Sequence, residues 1–226
     1  MNWQDEAYLL SKIKFRENAN IISVFSNTYG KVSGIVYGGN SRKIKNYLQI
    51  SNKIYIFHNS KSSNKIGYFK TELLEAISPK YFNNKHKTSA LLSITSILNA
   101  LLPESQPYKK LYNSINELIL NFNNDDWIHY YINWELNLIK ELGYDTNLQQ
   151  FKNKNLANDQ IREIKIDDIK YMVPVFLINK VSVNANQRLL LNKALNFTRS
   201  ILLNKFFLPN NIIFPRSRVQ LENYFI

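Results

Sequence analysis

The chain has no cysteine in its 226 residues. That excludes disulfides, a thiolate nucleophile and any zinc site built on sulfur, and it fits a reducing cytoplasm. No window approaches the roughly 20 consecutive apolar residues of a membrane-spanning helix. The start, Met1-Asn2-Trp3-Gln4-Asp5-Glu6, lacks a basic region followed by an apolar run, so no secretory signal is expected. No phosphate-loop, serine-hydrolase elbow or metalloprotease motif occurs. The most telling absence is of one sign of charge. Between Glu17 and Glu72 there is no acidic residue, and none between Asp168 and Glu222.

Those two stretches are rich in lysine and arginine. The first holds Lys31, Arg42, Lys43, Lys45, Lys53, Lys61, Lys65 and Lys70; the second holds Lys170, Lys180, Arg188, Lys193, Arg199, Lys205, Arg216 and Arg218. The segment between them is mildly acidic, so the formal net charge of +12 is segregated rather than dispersed. A segregated positive field serves a polyanion, because neutralising phosphates releases condensed counterions and steers association. With 45% hydrophobic and 13% aromatic residues, the chain is long enough to bury a real core.

Residues 1 to about 77 read as β structure, with β-rich runs at 7–14, 20–25, 31–37, 48–57 and 66–74. Turn residues separate them at Glu17-Asn18, Asn27 to Gly30, Gly38 to Ser41 and His58 to Asn64. Five short strands in under eighty residues point to a small Greek-key barrel of the OB type, since an open sheet would leave two edges exposed. From Pro79 the period changes to helical. The spacing predicts helices over 88–102, 108–122 and 126–142, the last closed by Gly143, and a final helix over 186–207 halted by Pro209. The stretch 145–185 is weak, with a hairpin expected at 161–173 turning near Asp167-Asp168. The expected class is α+β: an OB-fold domain at 1–77, then a helical domain at 78–226 with a short irregular or hairpin insertion near 150–180.

Catalytic constellations are sparse. His58, His86 and His129 lie far apart without metal-ligand spacing. Asp125-Asp126 precedes a helix, where Asp caps backbone amides, and Asp167-Asp168 falls in a turn; capping and turn formation are the ordinary readings of both pairs. The Gly38-Gly39 pair is expected between two strands, without the strand–loop–helix context of a phosphate cradle. The run Gly38-Gly39-Asn40-Ser41-Arg42-Lys43-Ile44-Lys45 combines glycines, polar donors and three cations, and a loop of this kind follows a phosphate backbone without reading bases. A solvated charged turn is the bland alternative, but a solubility face normally mixes signs. Tyr29, Tyr37, Tyr47, Tyr55 and Tyr68 are candidates for base stacking, although strand aromatics more often fill a core.

Several segments carry a family resemblance. Trp3-Gln4, Glu17, Val24-Phe25, Gly30-Lys31, Gly38, Ser41-Arg42-Lys43 and Leu48-Gln49 resemble the amino-terminal barrel of the RecO family of bacterial recombination mediators. Trp134-Glu135-Leu136, Leu138-Ile139 and Leu142-Gly143-Tyr144 resemble its helical-domain signature, and Phe197-Thr198-Arg199 with Arg216-Ser217-Arg218 resemble its carboxy-terminal portion. The resemblance implies an OB-fold, a helical domain and no catalytic turnover. It implies binding of single- and double-stranded DNA, strand annealing, docking on the acidic C-terminal tail of the single-strand binding protein SSB, and RecA loading with RecR and often RecF. Lys31, Ser41, Arg42 and Lys43 match the family's basic barrel loops; Lys45 and Lys53 join them through local charge alone.

Two departures follow. Many members carry a cysteine cluster, often holding zinc, in the segment corresponding to about 150–175; its absence here means no zinc and no cofactor are expected. The family also commonly has an arginine where this chain has Asn133, so the tail-binding duty is expected to fall on Arg188, Lys193 and Arg199 of the last helix, cations suited to rim a greasy pocket. An RNA-binding OB protein, a protein-interaction scaffold and a magnesium nuclease using the paired aspartates remain as rival readings.

Overall fold

The computed structural model describes residues 2–60, 66–152, 160–179, 181 and 187–226; Lys61, Lys65 and Lys180 of the basic stretches lie outside the described residues. Two compact units are present, Met1–Tyr112 with Pro215–Arg218 and Asn113–Phe214 with Val219–Ile226. The first therefore runs past residue 77 and takes in helix as well as barrel.

Five strands build that barrel: β1 (Asn2–Arg16), β2 (Ala19–Ser26), β3 (Gly30–Tyr37), β4 (Lys53–Asn59) and β5 (Gly67–Glu75). Their order is β1-β2-β3-β5-β4, closed by β4 on β1. This is the expected OB-type closure, which removes the free edges. β1 is longer than its hydrophobic run predicts: its first half pairs with β4 and its second with β2, and register shifts between Leu9 and Ser11 and between Lys14 and Arg16 bend it. Period-two alternation sends Ala7, Leu9, Ile22, Val24, Val32, Val36, Ile54, Ile56 and Phe69 inward to one core.

Only β3 and β5 run parallel, meeting at Gly34 opposite Gly67 and Ile35 opposite Tyr68. Both glycines answer a close approach. A Cβ on Gly34 would lie 2.6 Å from the Phe69 ring, and one on Gly67 would lie 2.1 Å from His58 Nε2. His58 in turn stacks under Trp3, with ring centroids 4.6 Å apart, and meets Phe69 edge-on.

One element corrects the sequence reading. Residues 48–57 are not a single strand preceded by a loop. A six-residue helix α1 (Arg42–Tyr47) follows the turn Gly38–Asn40, and β4 begins only at Lys53. The glycine pair thus does sit in a strand–turn–helix context. Ser41 caps α1, accepting from the Ile44 amide at 3.4 Å. Ile44 and Tyr47, three apart and so on one helix face, pack against the barrel core while the other positions face outward. Six residues are too few for helical periodicity to register against the flanking strands, and α1 is stabilised by that core contact rather than by its own length.

Helices α2 (Ile77–Lys80) and α3 (Lys85–Leu101) also belong to the first unit, with α3 against β1 and Asn84 as its cap. α4 (Lys109–Leu120) follows, and its Tyr112 packs on Tyr8 and Phe25. In the second unit α5 (Trp127–Glu141) ends at Gly143, whose φ is +94°. The hairpin β6 (Ile161–Ile166) and β7 (Ile169–Pro174) turns at Asp167 and Asp168, both with positive φ. The short α6 (Val175–Asn179) precedes α7 (Arg188–Leu202), which continues as a wider turn through Leu203–Phe207; α8 (Arg216–Asn223) is last. α5 packs on α7, and their seam holds the fully buried carboxylate of Glu135, which accepts from Tyr131 Oη at 2.9 Å and Thr198 Oγ1 at 2.5 Å. Trp134 and Glu135 are both internal, so this signature pair is architectural.

Burial holds His58 below its ordinary imidazole value. Its folded form therefore resists protonation, while the unfolded chain takes up a proton near pH 6.5. Stability is accordingly present above that pH and falls as pH drops below it. Urea midpoints at pH 7.5 and 5.5 are expected to fall further for the wild type than for His58→Phe; equal falls would remove His58 as the source.

Candidate nucleic-acid interface

Backbone and asparagine side-chain hydrogen bonds tie the start of α1 to the β1–β2 turn and β2. Gly38 N donates to Asn18 O at 2.7 Å, Asn40 Nδ2 donates to Glu17 O at 2.7 Å, and Asn20 Nδ2 donates to Asn40 Oδ1. The result is one positive end of the barrel. Arg42, Lys43 and Lys45 are all exposed on α1, and among the described residues no carboxylate lies within ion-pair distance of them. Arg42 and Lys43 occupy the first turn, which contains no acid. A helix N-terminus carries partial positive charge, so cations there oppose the helix's own electrostatics.

Three further cations join from β1. Lys12 Nζ donates to Leu48 O at 2.7 Å, and Lys14 and Arg16 are exposed beyond it. The Lys12 ammonium is held below its ordinary value, first by burial and then by the Lys45 charge. A lysine depressed by a second lysine marks a local positive field. These three were missed because the acid-free stretch is counted only after Glu17. The alternation Lys12-Ile13-Lys14-Phe15-Arg16 was the signal that extends β1 and places its cations together.

The remaining basic candidates are placed differently. Lys31 Nζ donates to Asn99 O at 3.1 Å and lies 3.7 Å from Glu104, with its side chain only 13% exposed. Lys53 pairs with Glu6 at 3.0 Å, 16% exposed, and lies over the Tyr8 and Tyr112 rings. Both ammonium groups thus face carboxylates inside their own unit. Ser41 directs its hydroxyl to the α1 cap. The structure groups Arg42, Lys43 and Lys45 with Lys12, Lys14 and Arg16, and sets Lys31 and Lys53 apart.

The tyrosines also divide. Tyr29 stacks on Trp3 at 4.0 Å, Tyr47 donates to Thr71 O at 2.6 Å, and Tyr55 meets Phe57 edge-on. Tyr37 and Tyr68 are exposed on the outer face of the barrel.

On α7, Arg188, Lys193 and Arg199 do not form one cluster. At about 100° per residue, Arg188 and Arg199 share a face some three turns apart, while Lys193 points roughly 140° away. Arg199 pairs with the buried Glu222 at 3.1 Å and lies over the Phe214 ring; Arg188 is exposed. The second unit has a cavity of about 730 Å³ lined by Asn133, Trp134, Lys140 and Phe176, among others. Its one lysine pairs with Asp145 at 3.0 Å, and Glu117 and Asp126 also line it, so it carries no excess of positive charge.

Asp126 stands at the cap position of α5 but its side chain makes no capping bond, so it acts through the helix dipole alone. Asp167 accepts from Tyr144 Oη at 2.8 Å and Lys205 Nζ at 2.7 Å, which lowers the aspartate and fastens the hairpin tip. Among the described residues no three His, Asp or Glu side chains gather as a metal site, and no helix is long and apolar enough to cross a membrane. With no cysteine in the chain, no thiolate donor is available to a metal.

Comparison with known proteins places the chain. A family model described as Recombination protein O N terminal matches residues 1–77, and one described as Recombination protein O C terminal matches residues 83–151; together they take in more than half the chain. A DNA repair protein RecO of Wolbachia sp. subsp. Drosophila simulans (strain wRi) is 32% identical over 152 residues, 66% of this chain and 62% of that protein. The DNA repair protein RecO of Ruegeria sp. (strain TM1040) is 29% identical over 149 residues, with the same shares. The matched part thus spans less than two thirds of these relatives' length. A solved Entamoeba histolytica asparaginyl-tRNA synthetase chain overlays at a TM-score of 0.31 with 9% identity, covering 76% of this chain and 40% of that one; a score this low carries no argument.

The division of cations has a measurable signature. Arg42→Ala is expected to reduce the slope of log affinity against log salt for a single-stranded oligonucleotide by about 0.7. Lys31→Ala is expected to leave that slope unchanged and to lower the urea midpoint, with a stability loss of about 1 kcal/mol. An equal drop in slope for both variants would reject the division.

Proposed function

The chain belongs to the RecO family, and from that premise we propose that it is a non-catalytic mediator of DNA repair and recombination that works in the bacterial cytoplasm at the nucleoid. The barrel module is its strand-binding part, and Lys12, Lys14, Arg16, Arg42, Lys43 and Lys45 contact phosphates of single- and double-stranded DNA. One observation carries this reading: α1 holds exposed, carboxylate-free cations in its first turn, where its own dipole disfavours them. A polyanion supplies the compensating charge.

The second unit receives the acidic C-terminal tail of SSB, with the exposed Arg188 of α7 offering its guanidinium; Lys193 and Arg199, on another face and in an ion pair respectively, are not available beside it. A protein tethered in this way acts at high local concentration on SSB-coated strands and needs no ATP to remodel them. Phosphates neutralised at the barrel repel a complementary strand less, which favours annealing. Exposure of a strand freed of SSB, together with RecR and RecF, promotes RecA loading.

The test is annealing of two complementary oligonucleotides, each coated with intact SSB or with SSB lacking its last residues. Acceleration with intact SSB alone is expected. The triple reversal Arg42→Glu, Lys43→Glu, Lys45→Glu is expected to abolish strand binding without lowering thermal stability, because the acids at 42 and 43 suit the first turn of α1 and offset the one at 45 in its last turn. Equal acceleration with both SSB forms would reject tail docking. No acceleration, or unchanged affinity of the reversed variant at low salt, would reject the mediator reading in favour of RNA binding or a scaffold role.

A further inference from the structure

The barrel's outer face along the parallel seam presents two aromatic rings that no packing requirement explains. Alternation along β3 turns Val32 and Val36 inward and Ile35 and Tyr37 outward; along β5 it turns Phe69 inward and Tyr68 and Lys70 outward. The register that pairs Ile35 with Tyr68 brings Tyr37, two residues on and on the same face, beside Tyr68. The Tyr37 and Tyr68 rings stack with centroids 5.4 Å apart and planes 28° from parallel, yet they remain 53% and 40% exposed. Each keeps one face that the other does not cover. Tyr29 and Tyr47, by contrast, find partners inside the barrel.

We propose that Tyr37 and Tyr68 form a stacking platform for unpaired nucleobases, distinct from the phosphate-contacting cations of α1 and β1. The inference rests on the nucleic-acid reading above and adds what part of the strand is gripped and by which residues. Flat aromatic faces accept any base, because every base has a π-face, and tyrosine loses little conformational entropy in doing so. A duplex hides its base faces, so the platform discriminates single strands from double.

Charge selects this occupant over an apolar protein surface. Tyr37 is the last residue of β3, and the turn after it leads directly into Arg42 and Lys43. Lys70 flanks the pair on the other side, at the edge of a groove of about 950 Å³ that opens beside Tyr68 and is lined by Trp3 and His58. Glu72, one outward position further along β5, is the carboxylate of that groove. A strand laid along the barrel end, with phosphates on α1 and bases turned to the seam, satisfies both the rings and the cations.

The test compares the full chain's affinity for a labelled thymidine oligomer and for an abasic oligomer of equal length and phosphate charge. The wild type is expected to bind the thymidine oligomer about tenfold or more tightly than the abasic one. The double variant Tyr37→Ala, Tyr68→Ala is expected to lose that preference while keeping its abasic affinity. Tyr37→Phe, Tyr68→Phe is expected to retain it, because the rings remain. A preference that survives the alanine variant, or equal losses on both oligomers, overturns the platform. Equal wild-type affinity for the two oligomers also overturns it but leaves phosphate binding intact. Failure of the wild type to bind either oligomer overturns the nucleic-acid reading itself.

Discussion

Closure of the barrel rests on a narrow seam. β3 and β5 meet in parallel through two residue pairs, and that meeting depends on Gly34 and Gly67 having no side chains where the Phe69 and His58 rings lie. A β-carbon at either place would push the two strands or the two rings apart, in an interior packed too densely to absorb the shift. Much of the surface chemistry follows from the seam. It brings Tyr37 beside Tyr68 and delivers the end of β3 to the turn from which α1 departs. The aromatic stack of Trp3 on His58 and Tyr29 seals the same side from within.

α1 shows how a core overrides local preference. Its length is marginal for a helix in water and its first turn carries the wrong sign of charge. It forms because Ile44 and Tyr47 reach the barrel core, Ser41 caps it and the Gly38–Asn40 turn is bonded to the β1–β2 turn. The apolar side of a very short helix is therefore fixed by folding, and its polar side is left to hold cations in solvent.

The second unit solves a different problem. Its central helices are joined by a buried carboxylate, and burying Glu135 is tolerable because two hydroxyls donate to it. Removing one partner leaves charge or lone pairs unsatisfied in the interior, so α5 and α7 are held in one register more strictly than apolar packing alone requires. The hairpin tip is fixed by similar means: Asp167 takes a hydroxyl from Tyr144 and an ammonium from Lys205, and the Lys205 charge also lies over the Tyr144 ring, 4.6 Å from its centroid.

The sequence by itself determined the class of fold and the segregation of its charge. β-rich runs located the five barrel strands, the fourth only in its second half, period-3.6 runs placed the helices at 85–101, 109–120 and 127–141 within a few residues, and segregated lysines and arginines pointed to a polyanion. Only the tertiary structure decided which cations remain available. Lys31 and Lys53 belong to the same acid-free stretch as Arg42 and Lys43, but their partners Glu104 and Glu6 come from distant parts of the chain, and no local pattern records such a pairing. Lys12, Lys14 and Arg16 join α1 only because β1 bends at its register shifts and two turns are hydrogen-bonded together. Likewise the five candidate tyrosines look equivalent in one dimension; in the fold Tyr29 of a turn and Tyr47 of α1 pack on the barrel, while closure in parallel register leaves Tyr37 against Tyr68 at the surface. Local periodicity reports which face a residue occupies; what stands opposite that face is a property of the folded chain.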